Sequence, residues 1–472
     1  MNKNISRLRI FLLLLILFTL SCCAQARNYV PTKDSGKNSE VKTVILLIGD
    51  GMGLQQRRIA GIIDGGGNPD HRLFLENMDT SGIAYNHSLD AIVTDSAASG
   101  TALATGHKTN NDMVSVTPDG KKLPTILEIC RDHGKSTGLI TTVTIAHATP
   151  AVFGAHVENR DWYDLIAAQY LDNKIDVLMG GGWKDFLPEN AEEKNNLPIP
   201  ASFKGTRKDG RNLLNDFIRS GYEFVYNREG LLKIDPQKTK KLLGLFSYGA
   251  LNFEIDRDKK IEPSIEEMTD LAIKILDKDP DGFFLMVEGG QIDWANHSHD
   301  VAGSVYDTIA FDKAVKVALD YASTHPETLI VVVNDHETGG MTIASSKKKI
   351  ASIKKLKASA GKMASLIKKD GSNINEVFSK YAGINDLKDE EKKMVLDEAN
   401  GQLKVEDEWG YGGTIIAHII SVRTGILFST GGHSGCPVVV AAQGPGCEIF
   451  NGFYDQSEIP VKMAKLLGVE MK

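Results

Sequence analysis

Six short runs of apolar, largely β-branched residues constrain this chain most: Thr43 to Asp50, Thr137 to Thr144, Ile175 to Gly180, Phe283 to Glu288, Leu329 to Asp335 and Val438 to Ala442. None alternates apolar with polar residues, so each is expected to be buried on both faces, and stretches of helical spacing separate them. That pattern predicts an α/β fold, a central mostly parallel sheet with helices on both faces. In such sheets ligands bind beyond the carboxyl ends of the strands. Three of the six runs end in a carboxylate, Asp50, Glu288 and Asp335, and parallel strands would bring all three to one rim. Any one of them alone is an ordinary turn or cap residue. Three on one rim suggest a site.

The chain has 472 residues, 42% hydrophobic and 24% charged, which excludes disorder and a multi-span membrane protein. With 61 acidic against 54 basic residues it lacks the basic surplus of a nucleic-acid-binding protein, and no nucleic acid is expected as a specific partner. Residues 1–26 have the form of a signal peptide: Lys3, Arg7 and Arg9, an apolar run from Ile10 to Leu20, then Ala24-Gln25-Ala26 as a small-x-small cleavage site. The run is too short to span a bilayer. Cleavage there removes three of the basic residues and no acidic one, moving the net charge from -7 to -10. Cys22 or Cys23 offers a second reading, a bacterial lipoprotein acylation site, so the expected location is exported, periplasmic or attached by a lipid anchor to the outer membrane.

Residues 27–40 are polar and read as a flexible linker. Residues 341–428 differ in texture: lysines from Lys347 to Lys369 interleave with Ile350, Ile353, Leu356, Met363 and Leu366 at helical spacing, predicting a helical insertion with a solvated lysine face. The catalytic domain is then 41–340 with 429–472. Beyond the signal region the cysteines number three, Cys130, Cys436 and Cys447, too few and too oddly counted for a disulfide framework. A strand between Cys436 and Cys447 would hold them ~15 Å apart or more, against the ~7 Å a disulfide tolerates. All three are expected to be small buried thiols.

Asp293 and His297 stand four apart after the Phe283 to Glu288 run, on one face if the segment turns helical. Asp335-His336 follows a buried strand, where a polar pair is costly unless it binds something. Gly431-Gly432-His433 adds an imidazole on a loop before the Val438 strand, its glycines permitting close backbone approach. Carboxylates with histidines suit zinc, and an all-oxygen set suits magnesium. Two metals a few Å apart can clamp a phosphoryl group. Ser96, in Thr94-Asp95-Ser96-Ala97-Ala98-Ser99 at the head of an Ala-rich helix, is either the N-cap or a nucleophile. His147-Ala148-Thr149 and Arg160 complete the set, the arginine suited to two phosphate oxygens.

These five motifs together resemble the metal-dependent, serine-nucleophile alkaline phosphatase family, over residues 41–340 and 429–472. The resemblance implies a first zinc on Asp293, His297 and His433, a second on Asp50, Asp335 and His336 with Ser96, and magnesium on Asp50, Thr149 and Glu288. It implies Ser96 as the residue phosphorylated during turnover, Arg160 as the phosphate clamp, and Asp95, His147 and Trp294 beside the substrate or behind the ligands. Enterobacterial members carry Asp and Lys, and vertebrate members two histidines, where this chain has His147 and Trp294. The insertion falls where vertebrate members carry a crown domain, but its sequence is its own. Small phosphomonoesters are the implied substrates, and a homodimer the implied assembly. Sulfatases of the superfamily need a Cys/Ser-x-Pro-x-Arg motif that Ser96-Ala97-Ala98-Ser99-Gly100 does not provide. Phosphodiesterase activity and non-catalytic binding of phosphate or metal are the competing readings.

Overall fold

The computed structural model describes residues 41–189, 204–344, 346–403 and 414–471, so the signal peptide and linker read at 1–40 lie outside it. Fourteen strands are present among these residues. Ten form one sheet: β1 (Thr43–Ile48), β2 (Thr80–Tyr85), β3 (Ser136–Thr144), β4 (Val177–Gly181), β5 (Glu223–Val225), β6 (Leu242–Leu245), β7 (Phe283–Glu288), β8 (Thr328–Val333), β13 (Val438–Gln443) and β14 (Gly452–Asp455). The rest are two-residue strands, β9 (Glu337–Thr338) paired with β12 (His433–Ser434), and β10 (Thr342–Ile343) with β11 (Ile426–Leu427). The sheet order is β14-β2-β13-β8-β1-β7-β3-β4-β6-β5. Only β13 runs against its neighbours, so the sheet is mostly parallel as the apolar runs predicted.

Continuous apolar runs conceal a period of two. Ile45 and Leu47 of β1, Leu285 and Val287 of β7, and Ile330 and Val332 of β8 pack on one face. Val44, Leu46 and Ile48, Phe284 and Met286, and Leu329, Val331 and Val333 pack on the other. The first face is covered by helices Leu54–Asp64, Ile265–Leu276 and Val301–Ala322, the second by Ser96–Thr105, Ile126–Asp132, Ala148–Gly154, Tyr163–Asp172 and Glu458–Leu467. Four strands of this sheet escaped the sequence reading: β2 alternates in burial, β5 and β6 are three and four residues long, and β14 is an edge strand.

The antiparallel β10 and β11 form a neck from which the helices of the insertion emerge. Ile350, Ile353, Leu356 and Met363 are buried, while Lys347, Lys348, Lys349, Lys354, Lys355 and Lys357 are exposed. The buried residues join the same apolar cluster as β1 and β7. One expectation needs correcting: Cys130 and Cys447 are buried, but Cys436 is exposed, because it lies in the turn between β12 and β13, outside either strand.

Phe378, fully buried in the insertion, is expected to cost about 3–5 kcal/mol when replaced by Ala. Because the insertion shares the core of the sheet, calorimetry of Phe378→Ala should show one melting transition moved down. A separate early transition would mean that the insertion unfolds on its own.

Candidate active site

Register places the three strand-end acids. Ile48 pairs with Glu288 on one side and with Val333 on the other, so Asp50 and Asp335, each two residues further, emerge level above the sheet. Gly51 turns the chain back at φ 66°, and a Cβ there would lie 2.8 Å from the Asp293 Cα, so only glycine lets the two segments meet. Asp50, Glu288 and Asp335 are all fully buried.

Asp293 and His297 lie on the helix Gln291–His297, with His297 Nε2 3.2 Å from Asp293 Oδ2. His433 arrives from β12, not from a loop, and its antiparallel pairing with Thr338 brings its Nε2 to 3.1 Å from His297 Nε2 and 3.7 Å from Asp293 Oδ1. His336 Nε2 stands 3.2 Å from Asp335 Oδ2 and 3.4 Å from Asp50 Oδ1. Thr149 Oγ1 donates to Asp50 Oδ2 at 3.3 Å. His147 nitrogen falls in one tight group with oxygens of Asp50 and Glu288, within 4.8 Å of one another.

The helix Ser96–Thr105 is capped by Asp95, whose Oδ1 accepts from Ala98 N at 2.8 Å. Ser96 is therefore the first helical residue and not the cap, and its hydroxyl is released for other use. Ser96 Oγ lies 3.1 Å from His336 Nε2. Asp95 Oδ2 also holds Arg160 Nη1 at 2.9 Å, while Arg160 Nη2 reaches His147 Nε2 at 3.2 Å. Each terminal guanidinium nitrogen keeps one further N–H for a ligand. Trp294 is half-buried and meets the His147 ring edge-on, centroids 5.9 Å apart.

Hydrogen bonding assigns the tautomers. His297 Nδ1 faces Gly431 O at 2.6 Å and His433 Nδ1 faces Thr94 O at 2.8 Å, so both Nδ1 atoms donate to carbonyls. Thr338 Oγ1 donates to Asp293 Oδ1 and so accepts from His336 Nδ1, 3.2 Å away. All three imidazoles donate their Nδ1–H outward and turn Nε2 toward the carboxylates. Convergent acceptors of this kind fit cations, and the outer partners fix ring orientation as second-layer groups do in metal sites. Arg160 only donates, so the His147 proton sits on Nδ1. Asp50 Oδ1 and Glu288 Oε1 are buried without a hydrogen-bond partner, as expected of oxygens that would face a cation.

The electrostatics point the same way. Burial, reinforced by neighbouring carboxylates, pushes Asp50 well above the usual carboxylate range. Burial likewise pushes Glu288 up to about 7 and Asp335 up to about 8. Burial and His433 hold His336 well below its ordinary value, and burial with Arg160 lowers His147 to about 3. His433 is also lowered by burial. Asp293 is held low by His297 and His433 despite its burial, and in return raises His297 against the desolvation that opposes it.

Thr338, Asn334, Glu337 and Ser99 were not singled out from the sequence. Asn334 braces the His336 backbone and links it to Arg57 and Val439, and Glu337 ties Gln56, Met341 and Ser434 together. Ser99 Oγ reaches Asp335 Oδ2 at 3.5 Å. Thr338 had one legible signal, its place two residues after His336 in an extended stretch, which puts both on one side of the strand.

Residues 41–469 match the family model described as alkaline phosphatase. Alkaline phosphatase 3 of Bacillus subtilis is 36% identical over 457 residues, covering 93% of this chain and 92% of its own length. The alkaline phosphatase of Gadus morhua is 31% identical, covering 90% of this chain and 91% of its own. Among solved structures, that of Thermus thermophilus alkaline phosphatase superposes with a TM-score of 0.79 at 27% identity, covering 93% of this chain and 96% of that one. A mutant of the alkaline phosphatase of the Antarctic bacterium TAB5, solved with magnesium in its M3 site, gives 0.65 at 27%, covering 92% of this chain and 100% of that one. With ligand-ready acids and imidazoles at the carboxyl rim of the sheet, and relatives aligned over nearly all of its described length, this chain belongs to the alkaline phosphatase family and is a phosphoric monoester hydrolase.

Proposed function

We propose that this enzyme hydrolyses phosphate monoesters to an alcohol and inorganic phosphate through a phosphoserine on Ser96. The observation that carries the reading is the Ser96 hydroxyl, relieved of capping by Asp95 and set 3.1 Å from His336 Nε2 among the convergent acceptors. Asp293, His297 and His433 would hold one zinc ion, and Asp50, Asp335 and His336 a second. Asp50, Glu288 and Thr149 would hold magnesium, with His147 beside them; a mutant of the TAB5 relative binds magnesium in its M3 site. When bound, these cations supply Lewis-acid stabilisation of the negative charge that develops on oxygen. Ser96 Oγ forms the bond to phosphorus as the bond from phosphorus to the ester oxygen breaks, and the serine proton leaves with the alcohol. Water then attacks phosphorus, the Oγ–P bond breaks, and phosphate leaves. Arg160, kept in place by Asp95 and His147, donates its remaining Nη protons to two phosphate oxygens. The N-terminus of the helix Ser96–Thr105 adds its dipole to that anion.

We also propose that residues 1–26 direct export, to be checked by N-terminal sequencing of the mature protein, and that the enzyme is a homodimer, to be checked by light scattering. No helix among the described residues is long and apolar enough to cross a membrane.

With zinc and magnesium supplied at alkaline pH, p-nitrophenyl phosphate should be turned over and its bis ester scarcely at all. Ser96→Ala should lower kcat by at least about 10³-fold, and Arg160→Ala should lower kcat/KM roughly 10- to 150-fold, the worth of hydrogen bonds to a charged group. Faster turnover of the diester would make the enzyme a phosphodiesterase. Thr338→Val should weaken zinc binding, measured by chelator competition, by about 10- to 100-fold, while Thr338→Ser retains it.

A pH dependence follows in chelator. Glu288 and Asp335, raised to about 7 and about 8, keep protons that the unfolded chain has already lost, so their contribution to stability disappears as pH rises toward those values. The raised His297 acts in the same direction. The lowered His147, His336 and His433 oppose it only below their ordinary 6.5. Stripped of metal, the protein should therefore lose stability between pH 6.5 and 8, by up to about 1.4 kcal/mol per pH unit for each retained proton. Zinc and magnesium should remove that slope. A flat melting temperature in chelator would contradict the electrostatics.

A further inference from the structure

The lysines of the insertion make none of the contacts of the site. Nine lysines lie between Lys347 and Lys369, with no acidic residue among them, in a chain whose net charge is -7. All nine are exposed, and none forms an ion pair among the described residues, although Lys392 and Lys393 of the same insertion do. Ile350, Ile353, Leu356 and Met363 point inward to the core, which turns the lysines outward. Beside them opens a cleft of about 650 Å³ lined by Lys348, Lys349 and Lys355, by Leu356, Ile384 and Ile420, and by the paired Arg423 and Asp386.

We propose that this lysine face, with its cleft, docks the protein on an anionic lipid bilayer. Clusters of lysines on an amphipathic surface are attracted to anionic headgroups within about a Debye length. Apolar residues lining a cleft together with lysines suit the junction between headgroup and acyl chain, where long lysine stems also reach. Nucleic acid suits the face less well. Residues 347–369 contain no arginine for bidentate contacts and no aromatic side chain on which a base stacks. Arg423 is already paired with Asp386 and Glu391. The proposal is independent of the catalytic reading, since it involves none of the same residues.

The test is co-sedimentation of the purified enzyme with vesicles of equal parts phosphatidylglycerol and phosphatidylcholine, beside vesicles of phosphatidylcholine alone. One variant carries glutamine at Lys347, Lys348, Lys349, Lys354, Lys355 and Lys357. A control carries glutamine at Lys233, Lys238, Lys274, Lys316, Lys392 and Lys393, all in ion pairs, so the change in net charge is equal. Melting temperatures establish that both variants fold. At roughly fivefold per lysine near the surface, the first variant should lose at least about 30-fold in affinity for anionic vesicles, and the control less than about threefold. Salt should release the parent protein. Equal losses in the two variants, or equal binding to phosphatidylcholine alone, would overturn the proposal. Retention of a duplex DNA probe at a salt concentration that releases the vesicles would overturn the lipid assignment in favour of nucleic acid.

Discussion

Everything at this site depends on the parallel register of β8, β1 and β7. Pairing Ile48 with both Val333 and Glu288 delivers three carboxylates to one dry rim, where their mutual repulsion and desolvation oppose ionisation. Such an arrangement persists only on a scaffold that is stable elsewhere. Both faces of these strands are covered by apolar side chains and helices, and that burial supports the strained charge at the strand ends.

The imidazoles complete the design from outside. Carbonyls of Gly431 and Thr94 and the hydroxyl of Thr338 accept from the three Nδ1–H groups, leaving each Nε2 aimed inward. Two of these partners are backbone atoms, so the orientation of His297 and His433 is set by loop path and not by any particular side chain. Asp95 has a comparable double duty: one oxygen caps the helix and frees Ser96, the other fixes Arg160 next to it. Ser96 and Arg160 are thus positioned by a single carboxylate.

Much of this was legible in the residues. Six apolar runs foretold six strands of the sheet, and Asp50, Glu288, Asp335, Asp293, His297, His336 and His433 all lie in the cluster. What escaped has identifiable causes. β2 and β14 lie toward the edge, where burial is partial and the apolar signal weak. Thr338 looks like any strand threonine until His336 and Asp293 are seen on either side of its hydroxyl. Cys436 looks like a small buried thiol until the turn between β12 and β13 exposes it.

By itself the sequence determined the fold class and pointed to the acids and imidazoles that gather at the rim, because double-sided burial writes a continuous apolar run and because carboxylates and imidazoles at the ends of such runs are too costly to be idle. Whether Ser96 caps its helix or stands free, which ring nitrogen each histidine presents, and which acids share a group were decided only by the tertiary structure. Those properties depend on hydrogen bonds and register between residues up to hundreds of positions apart, and no local pattern encodes them.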